Sequence, residues 1–156
     1  MRRLTYALEF VRKAAAPEAT AEPIVASSVR ITTTMNPKGV QGDIEQLGDF
    51  ETATLEVKLI PTTLPGTFTE TGKLTFGGPG SNNNLYFSSI GLGYVAPYKC
   101  PEEPYTAGVV SWVIVWGEGF FEGASGIITS NFLVDKTKPN DTGELIAYHF
   151  GVIYLP

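Results

Sequence analysis

The stretch GVVSWVIVWGEGFFEGASGIITSNFLV, residues 108–134, decides the fold. It reads as two consecutive strands, 109–116 and 127–134, joined by a connection with glycine at 117, 119, 123 and 126. At period two, Val110, Trp112, Ile114 and Trp116 share one face of the first strand, and Val109, Ser111, Val113 and Val115 share the other. Both faces are apolar, whereas a strand with one wet face alternates apolar with polar. This predicts a strand covered on both sides. A closed barrel with a filled or ligand-lined interior does that, with an oligomer contact outside.

Glycine inside strands marks bulges and barrel corners, because it adopts backbone angles that other residues avoid. Phe120 and Phe121, between Gly119 and Gly123, are placed to turn one ring inward and one outward. GEGFFEG follows a strand and approaches the dinucleotide fingerprint G-x-G-x-x-G. Its third glycine comes one residue late, however, and the IITSNFLV after it is β-branched where that motif requires a helix. A barrel corner is the expectation, and no cofactor.

The chain has 156 residues, 43% of them hydrophobic and 17% charged, enough for one domain with a substantial core. Seventeen glycines and 11 prolines favour short strands and turns. The net charge of −5, with no basic cluster beyond Arg2–Arg3 and Arg12–Lys13, argues against nucleic acid. One cysteine, Cys100, excludes an intrachain disulfide. The early apolar run LTYALEFV is broken by Glu9 and makes a poor signal peptide; no run is long enough to cross a membrane, and a cytoplasmic protein is expected.

Leu4, Ala7, Leu8, Val11 and Ala15 recur at helical spacing before Pro17, which predicts a short amphipathic helix over 3–16; the strand alternative groups Leu4, Tyr6, Leu8 and Phe10. PEATAEP (17–23) then reads as a linker, so that 1–23 is a helix and linker and 24–156 the barrel. Strands are expected at 24–34, 50–61, 66–77 with a bend at Gly72, 85–95, the two central segments, and 144–155. GGPGSNNN, KTKPNDTG and the proline-rich APYKCPEEPYTAG separate them.

The corner Gly117-Glu118-Gly119-Phe120-Phe121-Glu122-Gly123-Ala124-Ser125-Gly126, followed by a strand and a last aromatic strand, resembles that of the allene oxide cyclases, and a related glycine–phenylalanine pattern occurs in dirigent proteins. Gly42-Asp43 ahead of a strand is similar to a Gly-Asp pair in that superfamily. The resemblance covers roughly residues 40–156. It implies an eight-stranded antiparallel barrel with an apolar interior, assembled as dimers or trimers, that steers ring closure without a cofactor. Where allene oxide cyclases carry an asparagine after Gly-Asp, this chain reads FETATL, so no family catalytic residue carries over.

Site candidates therefore come from the chain itself. His149 is the only histidine and stands beside Tyr148 in the last strand. Glu56 faces opposite to Leu55 and Val57, either on a wet outer face with Lys58 or toward a polar-lined interior. Glu56, His149 and Tyr148 are the catalytic candidates. Tyr86, Tyr94, Trp112, Trp116 and Tyr154, with Ser88, Ser111 and Asn131, are the substrate-binding ones, since Trp and Tyr join large apolar area to one donor. One His and one Cys cannot supply a zinc site, so no metal is expected.

The expected function is a cofactor-independent cyclase or isomerase. It holds a small apolar substrate, derived from a polyketide, polyene or fatty acid, in the interior and directs ring closure in natural-product biosynthesis. The alternatives are a carrier that returns its ligand unchanged and an interaction barrel with a packed core. No nucleic-acid or membrane partner is expected, and a homo-oligomer is.

Overall fold

A computed structural model describes residues 1–13, 24–30, 53–78, 80–96, 104–135, 137 and 143–156. The linker 17–23, Gly42-Asp43, Cys100 and most of the KTKPNDTG turn lie outside the described residues. The described residues form nine strands: β1 (Arg2–Arg12), β2 (Ile24–Arg30), β3 (Ala53–Pro61), β4 (Thr67–Phe76), β5 (Asn83–Ser89), β6 (Gly93–Val95), β7 (Tyr105–Gly117), β8 (Ser125–Asp135) and β9 (Leu145–Leu155). They make one antiparallel sheet in the order β3-β2-β1-β9-β8-β7-β5-β4. β4 pairs again with β3, so the order returns to the strand where it began. The short β6 pairs with both β4 and β7, continuing the position of β5 beyond a break at Ile90 and Gly91.

The N-terminal segment is a strand, which corrects the helix expected over 3–16. All eleven residues of β1 pair with β9, and Leu8–Val11 pair with β2 as well. The alternation Leu4, Tyr6, Phe10 is buried, so tertiary pairing overrides the helix-forming composition. Tyr6 owes its inward place to Gly151 opposite it, since a side chain at 151 would collide with the tyrosine ring. Among the described residues there is no α-helix, only a single 3₁₀ turn at Gly119–Phe121.

That turn is the glycine corner. Gly119 and Gly123 sit at φ of 60° and 71°, a region costly for residues with a Cβ. Between them Phe121 is buried against Phe76 while Phe120 stays exposed, the inward–outward split that the sequence suggested. The core that results holds Leu4, Phe10, Leu55, Leu74, Leu85, Phe87, Phe121 and Ile153, drawn from β1, β3, β4, β5, β9 and the corner.

One detail of β7 corrects the reading of its faces. Tyr86 pairs with Trp116 but Phe87 pairs with Ile114, leaving Val115 without a partner. This bulge inserts one residue into the alternation and turns Trp116 to the outside. Trp112 is 1% exposed and Trp116 60%. The second face of β7 is also uncovered within the single chain, since Val109, Val113 and Val115 are exposed.

Candidate functional site

Two inward-facing rows cross the middle of the sheet. In one, Ser89, Trp112, Ile128, Gly151 and Tyr6 follow one another strand by strand; in the next, Val110, Ser130, His149 and Leu8 do so. Each strand contributes through simple alternation, so two neighbouring rows bring Tyr6, Trp112, Ser130 and His149 to one buried band. Glu70 of β4 joins it, because Phe68, Glu70, Leu74 and Phe76 all point inward. Ser89 fixes that part of β4: its hydroxyl accepts from the Glu70 backbone N–H at 2.7 Å and donates to the Glu70 carbonyl at 3.2 Å.

Trp112 is the hub. Its indole N–H donates to Glu70 Oε2 at 3.0 Å, its face stacks on Phe87 with centroids 4.1 Å apart, and His149 meets its ring edge-on at 4.8 Å. Phe10 covers the other side of His149 at 4.5 Å. Both ring nitrogens of His149 and the hydroxyl of Tyr6 are buried without a hydrogen-bond partner. Orphaned buried polar groups are rare and costly, so each calls for an explanation, a catalytic role among them.

Burial sets the protonation of the band. It pushes the Glu70 carboxyl up to about 7, against a smaller lowering by the Trp112 hydrogen bond. It pushes His149 down to about 3, so the imidazole is neutral at physiological pH, and it raises the Tyr6 phenol, which keeps its proton. Glu70 is thus the group in the band that exchanges a proton near neutrality. Glu70 is itself 7% exposed, while Leu59, directly opposite it on β3, is 42% exposed and Val57 two residues earlier is buried.

The other candidates from the sequence lie on the outward face. Glu56, Tyr86 and Ser88 come together there, in an open groove of about 470 Å³ also lined by Lys58, Thr71, Lys73 and Val115. Glu56 is held by Lys73 at 3.1 Å, as the wet-face alternative expected. Glu118 accepts from Asn84 Nδ2 at 2.7 Å and from the Tyr86 hydroxyl at 3.1 Å, which hold its carboxyl below the usual range. Tyr86 rises, through partial burial first and then through Glu118. Ser111, Trp116, Asn131, Tyr148 and Tyr154 also face outward on β7, β8 and β9, and Tyr94 does so on β6. Of the eleven candidates, only Trp112 and His149 belong to the buried band.

Sequence reasoning passed over Glu70 and Tyr6. Glu70 carried a signal, an acid in phase with Phe68, Leu74 and Phe76. Tyr6 belonged to the strand alternative that the helical spacing displaced. Among the described residues, no group of three or more His, Cys, Asp or Glu side chains is placed to hold a metal ion, and no helix is long and apolar enough to cross a membrane. No family model, curated protein or solved structure matches the chain.

Proposed function

We propose that the returning strand order forms a closed barrel, and that its buried band is the working site of a cofactor-independent isomerase or cyclase for a small apolar carbonyl compound. The observation that carries this reading is Glu70, a buried carboxyl with a pKa of about 7, hydrogen-bonded to the Trp112 indole, whose ring also meets the unpartnered His149. A general base works best when its pKa lies near the operating pH, and it contributes about 10²- to 10⁴-fold in rate. Ionised Glu70 removes a proton from the carbon beside the carbonyl. A neutral His149 N–H donates to the oxygen as negative charge builds there. The enolate then takes the proton back from Glu70 at a conjugated carbon, which moves the double bond and is isomerisation. Alternatively, its α-carbon attacks a second carbonyl carbon of the same molecule, whose C=O π bond opens and whose oxygen takes the proton from Glu70, which closes a ring. No oxidant or reductant enters either balance.

Trp112, Phe87 and Phe10 shape the apolar wall that restricts the substrate's conformations. The allene oxide cyclase-like corner and the single cysteine fit a cytoplasmic enzyme of natural-product biosynthesis. One observation favours the carrier instead: the Trp112 indole already engages the Glu70 carboxylate, a bond that serves the core without catalysis.

The test is deuterium wash-in from D2O into the α-positions of apolar ketones such as a decalone, followed by NMR. Wild type is expected to exchange faster as pH rises through 7. Glu70→Gln is expected to lose about 100-fold or more of that rate while the ketone still raises Tm. A ketone that raises Tm and keeps its α-protons refutes catalysis and leaves the carrier. No Tm shift with any apolar ketone refutes the site.

A further inference from the structure

The outward face of β7, β8 and β9 is a sheet surface with almost no charge. The three strands contain one formally charged side chain, Asp135 at the end of β8, in a chain that carries 27 (11 basic and 16 acidic). Val109, Val113, Val115, Ile127, Phe150 and Tyr154 stand outward there, between 38% and 58% exposed, and Trp116 borders them at 60%. The register makes them one patch, since Val113 lies opposite Ile127, Ile127 opposite Val152, and Thr129 opposite Phe150.

We infer that this face binds the same face of a second copy of the chain, forming a two-fold dimer. Aromatic side chains bury roughly 150–250 Å² each when covered. At about half exposure Trp116, Phe150 and Tyr154 therefore offer roughly 200–400 Å², and Val109, Val113, Val115 and Ile127 extend the patch to on the order of 700 Å², close to the roughly 800 Å² per partner of a standard interface. It lies at or just above the roughly 300–600 Å² of the largest apolar patch on a typical monomer. The charge pattern selects the partner. A charged surface laid on this face loses its hydration and finds no counter-charge, whereas a second copy brings an equally uncharged sheet. A two-fold axis matches one patch to itself, and twisted sheets pack face to face at about 10 Å. This dimer goes beyond the proposed chemistry, because the face lies on the opposite side of the sheet from Glu70 and Trp112.

The experiment measures the mass of the full chain by light scattering after size exclusion at micromolar concentration. The expected mass is about twice the 16.8 kDa of one chain. Val113→Lys with Phe150→Lys is expected to halve it with the far-UV spectrum unchanged, and Ile60→Lys, exposed on β3, is expected to leave it as it is. If the double variant does not fold, dilution of the wild type gives the same reading. As mass halves, Trp116 emission shifts to the red and iodide quenching rises, while buried Trp112 contributes nothing to the change. A wild-type mass of one or three copies overturns the inference. So does a folded double variant that keeps the double mass, or a monomer whose Trp116 remains shielded from iodide, which points to cover from within the chain.

Discussion

Two regions of this sheet use the same residue types to opposite ends. On the inside, Glu70 and Trp112 share a hydrogen bond away from water, and the carboxyl titrates near 7. On the outside, four residues along β7 from Trp112, Trp116 stands in solvent; Glu118 beside it is held below its usual range by Asn84 and Tyr86, and Glu56 is paired with Lys73. The difference lies in solvation rather than in side-chain chemistry. Outside, neighbouring donors favour the charged form, as Asn84 and Tyr86 do for Glu118. Inside, burial penalises charge and leaves the His149 ring nitrogens and the Tyr6 hydroxyl without a hydrogen-bond partner.

The contrast is tested most strongly through the two tryptophans. Trp112→Ala is expected to destabilise the fold by about 3–5 kcal/mol in urea denaturation, as for other large buried aromatics. Trp116→Ala is expected to stay within about 0.5 kcal/mol at concentrations where the chain is monomeric. Equal losses would erase the distinction between the faces.

His149 comes next. Its folded pKa of about 3 lies below the ordinary 6.5, so the unfolded chain takes up the proton first. The stability tied to the neutral ring is complete above about pH 6.5 and is lost as pH falls toward 3, on the order of 3 kcal/mol between pH 7 and pH 4. His149→Leu should flatten that acid limb, read from urea midpoints at the two pH values.

Glu70 acts in the opposite sense. Its folded pKa of about 7 exceeds the ordinary 4.5, so the folded state holds the proton more tightly. Stability is therefore highest below about pH 4.5 and declines as pH rises through 7, by about 2–3 kcal/mol between pH 5 and pH 8. Glu70→Gln should remove the decline, leaving the variant more stable than wild type at pH 8. An unchanged pH profile would place Glu70 in water.

The smallest effect belongs to the outer groove. Glu56→Gln should cost less than about 1 kcal/mol, because its pair with Lys73 is partly exposed and screened by salt. A larger loss would show that the outer cluster is more than a solvated surface.

Much of the fold was legible in the residues themselves. β-branched and aromatic alternation located the seven strands from Ile24 onward that were expected, and the glycine corner predicted the opposite orientations of Phe120 and Phe121. Local patterns suffice there because alternation and glycine backbone freedom are properties of short segments. The N-terminal segment was not legible in this way, since LTYALEFV satisfies both a 3.6-residue and a 2-residue period and only its partner β9 chooses between them.

The sequence by itself determined that the chain from Ile24 onward is made of strands and that a glycine corner joins β7 to β8. Tertiary structure alone decided which side of each strand is dry. A single unpaired residue, Val115, moved Trp116 from the inner row to the outer surface, and the pairing of β4 with β3 and β5 took Glu70 out of water. The physical reason is that alternation fixes which residues share a face, while burial depends on what the rest of the chain brings against it.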